Sequence, residues 1–558
     1  MSRDYESLSK EALVEILRRR DAQAHYGLIW EREEIPAEKA LNRDFVGLEL
    51  DSELSCGDGP QGNLIIEGDN YDALRLLTST MAGQFQLIYI DPPYNTGRRD
   101  FVYNDRYFDA TNRFRHSTWL EFIYQRLILA RDLLADDGVI FISIDDNELF
   151  NLGLLMNQVF GENSFVANCI WQKRYSRENN SAIGNVHEYL LVYSPNPDAF
   201  KLRRGMLPVD ERTRQNYRNP NNDPRGPWRL VPMNGPGLRP NQQYPVTTPS
   251  GKVLYPPEGR HWSVLEPEFE RLRAAGRVSF GARGDSAPGL IRYLDEVSGL
   301  VPWTWWAHDE VGHTDEARKE VQSLFGTQTA FETPKPLRLM RRVLDIGAPE
   351  KDALVLDFFA GSGTLGHAVL EMNTADGGNR RFVLVSNRES TEEDPDKNLC
   401  RDVCAGRVRR AIEGYNGKDG GAVAPLGGSF AYARAVRVPM HRLEHQLTND
   451  LVWSHALLMA GHPLAPYEGP VAKSVCDEQM LLYCANTKPA TMKKLGEALQ
   501  EHRGPAAVFT WAPAVVTALA EELDRPLTVV AVPEDLRRTF RQGKARVVDN
   551  DNAVEEAA

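Results

Sequence analysis

Long apolar runs are missing from this chain. In 558 residues none approaches the ~20 consecutive apolar positions that span a bilayer, which excludes a helical membrane protein. The first twenty residues, MSRDYESLSKEALVEILRRR, have no signal-peptide core. Cysteine is scarce: six in all, too few for a disulfide framework. Cys400 and Cys404 stand four apart on an expected helix, and no second pair has zinc spacing, so reduced thiols, no metal and a cytoplasmic location are expected. No G-x-x-x-x-G-K-[ST] motif occurs, which excludes a P-loop helicase or ATPase within this sequence. Positive charge is also in deficit. A formal net charge of −13 argues against coating nucleic acid by bulk charge, though not against local contacts.

What remains is ordinary globular composition, 42% hydrophobic and 26% charged, with length for about three or four domains. Residues 5–35 alternate with helical period (Leu8, Leu13, Ile16, Leu17), with Ser9 as an N-cap, in an N-terminal helical segment over 1–60. Residues 61–165 read as strand–helix alternation: LIIEGDN, LIYIDPPYNTG, the helix of WLEFIYQRLILARDLL, then GVIFISIDDNEL. Near-continuous apolar strands between helices indicate a mostly parallel, doubly wound α/β sheet covered on both faces.

Residues 166–330 break the pattern. They are rich in Pro, Gly, Asn and Trp, with scattered short strands such as HEYLLVYS and GRVSF, and read as an inserted, loop-rich domain. From Trp171 to Pro240 there are 12 Lys/Arg against 6 Asp/Glu, a local basic excess in an acidic chain. The α/β pattern returns over 331–430 in KPLRLMRRVLDIGA, ALVLDFFAGSGTLGHAVLEM and RRFVLVSN. Residues 431–558 are expected to hold helix over about 430–460, a small appended α/β domain and a frayed acidic tail at 548–558.

Two stretches carry the chemistry. In DFFAGSGT, Gly361 and Gly363 let the backbone curl and bring amides close to a ligand, and Gly366 completes a G-x-G-x-x-G spacing. That pattern alone indicates a nucleotide-type ligand without saying which. In LIYIDPPYNTG an apolar strand ends on Asp91, and Pro92 and Pro93 lock the chain before Tyr94.

D-P-P-Y after one buried strand and F-A-G-S-G after another resemble the amino DNA methyltransferases that use S-adenosylmethionine. The order, with D-P-P-Y first, then a basic insert, then the glycine turn, is similar to the β class. GDN at 68–70, FETPKP at 331–336, DPPYNTG and ISIDDNE resemble most closely the modification subunits of type III restriction systems. The resemblance covers about residues 60–415 and leaves the C-terminal region unexplained. It implies transfer of a methyl group to the N6 of an adenine turned out of duplex DNA, with Asp91 and the Pro92 carbonyl accepting the amino hydrogens and Tyr94 as a stacking face. It implies that Asp69, Asn70, Lys335, Asp357, Phe359, Ala360, Gly361, Ser362, Gly363 and Thr364 surround the cofactor, Lys335 at its carboxylate. Relatives often hold the ribose with an acid at the next strand end, where this chain has Ser386 followed by Asn387, so Asn387 takes that place here. The insert is the expected target-recognition domain, with Trp171, Lys173, Arg174, Tyr175 and Arg177 as interleaved aromatic and basic DNA contacts. The resemblance further implies a homodimer acting on double-stranded DNA, with a restriction or helicase partner and no membrane. Alternatives are cytosine N4 as target, a chain that chiefly supplies DNA recognition to a nuclease–helicase partner, and an RNA or protein methyltransferase.

Overall fold

The computed structural model describes residues 43–57, 62–103, 106–109, 115–176, 182–327, 330–390, 394–417 and 420–532, together with Ser9, Lys10 and Trp30. The helix expected over 5–35 and the acidic tail at 548–558 otherwise fall outside these. The chain divides into two compact units, residues 1–205 with 303–558, and residues 206–302.

The first unit is organised by one ten-stranded sheet. Its strands are β1 (Phe45–Cys56), β2 (Leu64–Glu67), β3 (Phe85–Ile90), β4 (Leu134–Ile144), β5 (Phe165–Gln172), β6 (His187–Tyr193), β7 (Trp305–Trp306), β8 (Leu354–Asp357), β9 (Arg381–Ser386) and β10 (Phe430–Val438). The spatial order is β1-β10-β2-β9-β8-β3-β4-β6-β5-β7. From β10 to β4 all neighbours are parallel. β1 runs antiparallel on β10, while β6 is antiparallel to both β4 and β5. The central strands LIYI and LVLD are buried throughout, as expected for a sheet covered on both faces.

The covering helices include α1 (Asn70–Thr80), α2 (Arg115–Leu133), α3 (Leu149–Phe160), α4 (Thr314–Phe325), α5 (Leu337–Gly347), α6 (Thr364–Asp376), α7 (Gly406–Glu413) and α8 (Asn449–Met459). In α5 the sequence LRLMRRVL puts Leu339, Met340, Val343 and Leu344 on one buried stripe and its arginines on the other face. Burying four such side chains contributes on the order of 6–12 kcal/mol before conformational entropy is subtracted. Gly347 ends this helix hard against the sheet, where a Cβ would lie 2.8 Å from Leu87.

Three expected boundaries move. Phe165–Gln172 and His187–Tyr193 belong to the main sheet, because their apolar residues pair in register with β4 and with each other. The second unit is therefore residues 206–302, narrower than the expected insert at 166–330. At the other end, FAYARAVRV over 430–438 is a strand, not the start of a helix. Its Ala and Arg favour helix intrinsically, but pairing with β1 on one side and β2 on the other overrides a weak local preference. Only α8 bears out the helix expected over 430–460 as an element of length.

The C-terminal region forms a four-stranded sheet, β11 (Val471–Cys476), β12 (Gln479–Cys484), β13 (Ala506–Thr510) and β14 (Thr528–Ala531). It is not insulated: Leu481, Tyr483 and Phe509 share one apolar cluster with Leu451 and Leu457 of α8 and with the main-sheet core. The second unit has its own small core of Met233, Tyr244, Val246, Trp262, Phe269 and Phe280. In it the guanidinium carbons of Arg225 and Arg277 lie 4.7 and 5.0 Å from the Tyr293 ring.

Candidate active site

β3 and β8 are parallel neighbours with Leu87 opposite Val355 and Ile88 opposite Leu356. That register brings Asp91 and Asp357 to adjacent strand ends on the carboxyl edge, where open α/β sheets bind ligands. The loop after β3 is fixed from both sides. The Pro93 carbonyl accepts the Trp119 indole N–H of α2 at 2.6 Å. Asn95 is fully buried with φ 56°, and its amide donates to Glu148 at 2.5 Å. Glu148 also engages His116 at 2.6 Å and Asn151 at 2.7 Å. Among the described residues nothing hydrogen-bonds the Pro92 carbonyl, which stays available as an acceptor.

Around Asp91 lies a cluster of charges. Its Oδ2 takes the Lys335 ammonium at 2.5 Å, and its Oδ1 accepts from the Tyr94 hydroxyl at 2.9 Å. Tyr94 also reaches Glu188 Oε2 at 3.2 Å. Glu188 lies 3.9 Å from Lys335 and accepts from Lys173 at 2.9 Å. Lys335 sits 5.2 Å from the Tyr94 ring centre and 6.0 Å from that of Trp171. Burial pushes the Asp91 carboxyl up and the Glu188 charge adds to this, while Lys335 and the Tyr94 hydroxyl oppose it. For Lys335 burial acts downward, but Asp91 and Glu188 outweigh it and the ammonium is held above its ordinary range. Burial, then the two carboxylates, push the Tyr94 phenol well up, so it stays a neutral donor. The expectation that Lys335 meets a cofactor carboxylate thus meets a different arrangement: its ammonium is committed to Asp91.

The glycine turn follows β8. Asp357 Oδ1 accepts the Phe359 amide at 3.0 Å, and burial raises its carboxyl well above the usual range. Gly361 and Gly363 have φ 49° and 72°, conformations that favour glycine. A Cβ at Gly363 would meet the Cys404 carbonyl oxygen at 2.9 Å, and one at Gly366 would meet Leu384 of β9 at 2.9 Å, so the turn can lie against the Cys404 segment and α6 against the sheet only without these side chains. The hydroxyls of Ser362 and Thr364 turn inward to Arg407, at 3.4 and 2.8 Å. They leave only their backbone groups to a ligand. Arg407 is fully buried and its charge is met by Glu320 at 3.4 Å, which also accepts the Leu337 amide at 3.1 Å. Burial pushes the Glu320 carboxyl up to about 7.

Beside this turn lies the GDN element. Asp69 caps α1 through the amides of Tyr71 and Asp72 at 2.9 and 3.3 Å. Asn70 donates to the Phe358 carbonyl at 3.0 Å and accepts from Arg126 at 2.5 Å. Asp69 keeps 44% of its side chain exposed, and the part-buried rings of Phe122 and Phe359 meet at 59° with centroids 6.1 Å apart. Asn387 is exposed just past β9. Ala360, at the crest of the turn, donates its amide to the Val385 carbonyl at 3.1 Å. An exposed acceptor, flanking rings and a left-handed glycine turn at one sheet edge fit an adenosyl group with a small polar tail.

The expected DNA contacts divide. Trp171 is 2% exposed and donates to the Gly312 carbonyl at 2.9 Å, so its ring is buried beside Lys335 rather than offered as a surface contact. Lys173 is spent on Glu188. Arg174 and Tyr175 are exposed, Tyr175 at 65%, its ring 5.9 and 5.2 Å from those of His308 and His313. Arg177 lies outside the described residues. All six cysteines are free, and among the described residues no group of His, Cys, Asp and Glu could hold a metal ion. No helix of the described residues is long and apolar enough to cross a membrane.

Sequence reading missed Glu188, Glu148, Arg407, Glu320 and Arg126. Glu188 had a signal, a carboxylate opening the otherwise apolar strand HEYLLVY. The others sit on helix or loop positions where a solvated charge is the ordinary expectation.

Known proteins bear on this arrangement. The chain is 39% identical over 352 residues to the StyLTI Mod subunit of a type III restriction-modification enzyme from Salmonella typhimurium, covering 58% of this chain and 52% of that one. It is 36% identical over 394 residues to the EcoPI Mod subunit of Escherichia phage P1, covering 59% and 58%. To the type II methyltransferase M.KpnI of Klebsiella pneumoniae it is 31% identical over 339 residues, covering 57% and 79%. It therefore spans little more than half the length of the two Mod subunits. The family described as DNA methylase matches residues 85–383, which include the Asp91 loop, Glu188, Lys335 and the glycine turn. The chain belongs to the DNA methylase family.

Proposed function

We propose that this protein transfers a methyl group from S-adenosylmethionine to the N6 amino group of an adenine extruded from duplex DNA at a specific site. The observation that carries the reading is the juxtaposition of the proline-locked Asp91 with the glycine turn at neighbouring strand ends. S-Adenosylmethionine, when bound, supplies an electrophilic methyl on a sulfonium. Asp69, Asn70, Asp357, Asn387 and the backbone of Phe359 to Thr364 are the residues to hold it. Asp91 and the Pro92 carbonyl accept the two amino hydrogens. Two acceptors draw the nitrogen lone pair out of conjugation and stabilise the positive charge that develops there. Lys335 opposes the burial that raises the Asp91 carboxyl, and the Tyr94 ring offers the base a stacking face.

DNA contact is assigned to Arg174 and Tyr175, and sequence recognition to residues 206–302. The names of the StyLTI and EcoPI Mod subunits place those two proteins in type III restriction-modification enzymes, which supports a restriction partner subunit here as well; the homodimer is carried over from the family resemblance alone. The test is incubation with labelled S-adenosylmethionine and duplex DNA, followed by nucleoside digestion and mass analysis. N6-methyladenine is expected. Label in N4-methylcytosine alone would move the target to cytosine, and unlabelled DNA would end the reading.

A further inference from the structure

Asp91 meets a substrate with one acceptor site on each of its oxygens already taken. Its Oδ2 holds the Lys335 ammonium at 2.5 Å and its Oδ1 holds the Tyr94 hydroxyl at 2.9 Å. An amino group arriving at Oδ1 competes with Tyr94 for the lone pairs of that oxygen. A buried phenol left without an acceptor is penalised, and a buried ammonium with a weakened partner more so. A second carboxylate stands ready for both. Glu188 Oε2 lies 3.2 Å from the Tyr94 oxygen and 3.9 Å from Lys335 Nζ, and its side chain is 12% exposed. Its other oxygen is anchored by Lys173 at 2.9 Å, so the group is aimed rather than free.

We infer that Glu188 is a positioning residue that takes over the Tyr94 hydroxyl, and shares the Lys335 ammonium, when Asp91 engages the amino group of the target base. The inference rests on the proposed methyl transfer. No bond is made or broken by Glu188; hydrogen bonds are exchanged while Tyr94 keeps its proton. The cost of freeing Asp91 Oδ1 is offset inside the pocket, and the Tyr94 ring is held in place through the exchange. The charged and titratable groups facing Glu188 are Asp91 and Tyr94 after β3, Tyr89 on β3, Lys335 before α5, Lys173 after β5 and Asp145 after β4.

The test uses the full chain with Glu188→Gln and Glu188→Ala, methyl transfer to a cognate duplex being followed from pH 5 to 9. Glu188→Gln keeps the volume and an acceptor for Tyr94 but removes the charge. Its expected kcat is about 10-fold lower, as for a lost charge-assisted hydrogen bond. Glu188→Ala is expected to lose more, about 100-fold. Cofactor affinity stays within about twofold of wild type in both. Because the Glu188 charge helps hold the Asp91 carboxyl up, the acidic limb of kcat/KM is expected to move to lower pH in both variants. A purely structural role would lower activity without moving that limb. An unchanged kcat in Glu188→Gln, an unmoved acidic limb, or a loss confined to cofactor affinity would each overturn the inference. Should the Ala variant fail to fold, the Gln variant decides alone. A wild-type protein that methylates no DNA would instead overturn the proposed function, which separates the two failures.

Discussion

The Lys335 ammonium lies 2.5 Å from Asp91 Oδ2 although 244 residues separate the two in the chain. This contact joins the loop before α5 to the end of β3. The ammonium that the resemblance sets at the cofactor carboxylate is paired in this structure with Asp91.

Replacement of Lys335 by Met is therefore expected to lower kcat at saturating S-adenosylmethionine by at least about 10-fold, the scale of a lost charge-assisted contact. The cofactor dissociation constant is expected to stay within about threefold. Collapse of cofactor affinity with kcat retained at saturation would restore the carboxylate-binding role. Asp91→Ala should bind cofactor, measured by calorimetry, and transfer no methyl group; activity surviving in that variant would remove Asp91 from the mechanism.

Gly363 and Gly377 both adopt left-handed conformations, φ 72° and 66°. A Cβ on Gly363 meets the Cys404 carbonyl at 2.9 Å, whereas one on Gly377 meets nothing within 4 Å. Gly377→Ala should cost only the conformational penalty of about 1–2 kcal/mol. Gly363→Ala should cost more, and should weaken cofactor binding as well. Equal losses in denaturant midpoint would mean that crowding at the turn is relieved.

Glu320 binds its proton more tightly in the folded protein, at about 7 against an ordinary 4.5, because burial disfavours its charge. A raised carboxyl contributes most stability when protonated in both states, and that contribution is lost as pH rises from 4.5 through 7. The loss is at most about 3.5 kcal/mol, since each tenfold change in proton affinity is worth about 1.4 kcal/mol. Thermal unfolding of wild type and Glu320→Gln at pH 5 and pH 8 should show wild type losing ground to the variant at the higher pH. A Tm difference independent of pH would contradict this.

Tyr175 presents a largely exposed ring between two imidazoles, beside an exposed Arg174. If both meet DNA, Tyr175→Ala should weaken duplex binding by about 1–3 kcal/mol with an unchanged salt slope, the value of a lost stack. Arg174→Ala should reduce the salt slope by about one. A titration by anisotropy at three salt concentrations separates the two, and unaltered binding in both would place the DNA contact elsewhere.

Much of the fold was legible. LIYI, VIFISI and LVL read as buried strands because a strand covered on both faces has no polar side to hide. DFFAGSGT read as a strand–turn–helix because only glycine takes its backbone angles without cost. The segment 430–438 was not legible, since its Ala and Arg favour helix until two neighbouring strands supply partners. Nor was the main-sheet membership of β5 and β6, embedded in sequence that otherwise reads as loop.

The site divides in the same way. Its local pieces could be read along the chain: an acid delivered by a strand, two prolines that hold it, an aromatic behind it and a glycine turn elsewhere. These depend on backbone angles and apolar runs, which are properties of adjacent residues. Who faces whom emerges only in the folded chain. Lys335 pairs with Asp91, Ser362 and Thr364 turn their hydroxyls to Arg407, Trp171 is buried on the Gly312 carbonyl, and Glu188 meets the Tyr94 hydroxyl from 94 residues farther along the chain. Charges carry no sequence signature of their partners. A pairing across the sheet is set by strand register and by the cost of leaving a buried charge alone, and both exist only once the chain has folded.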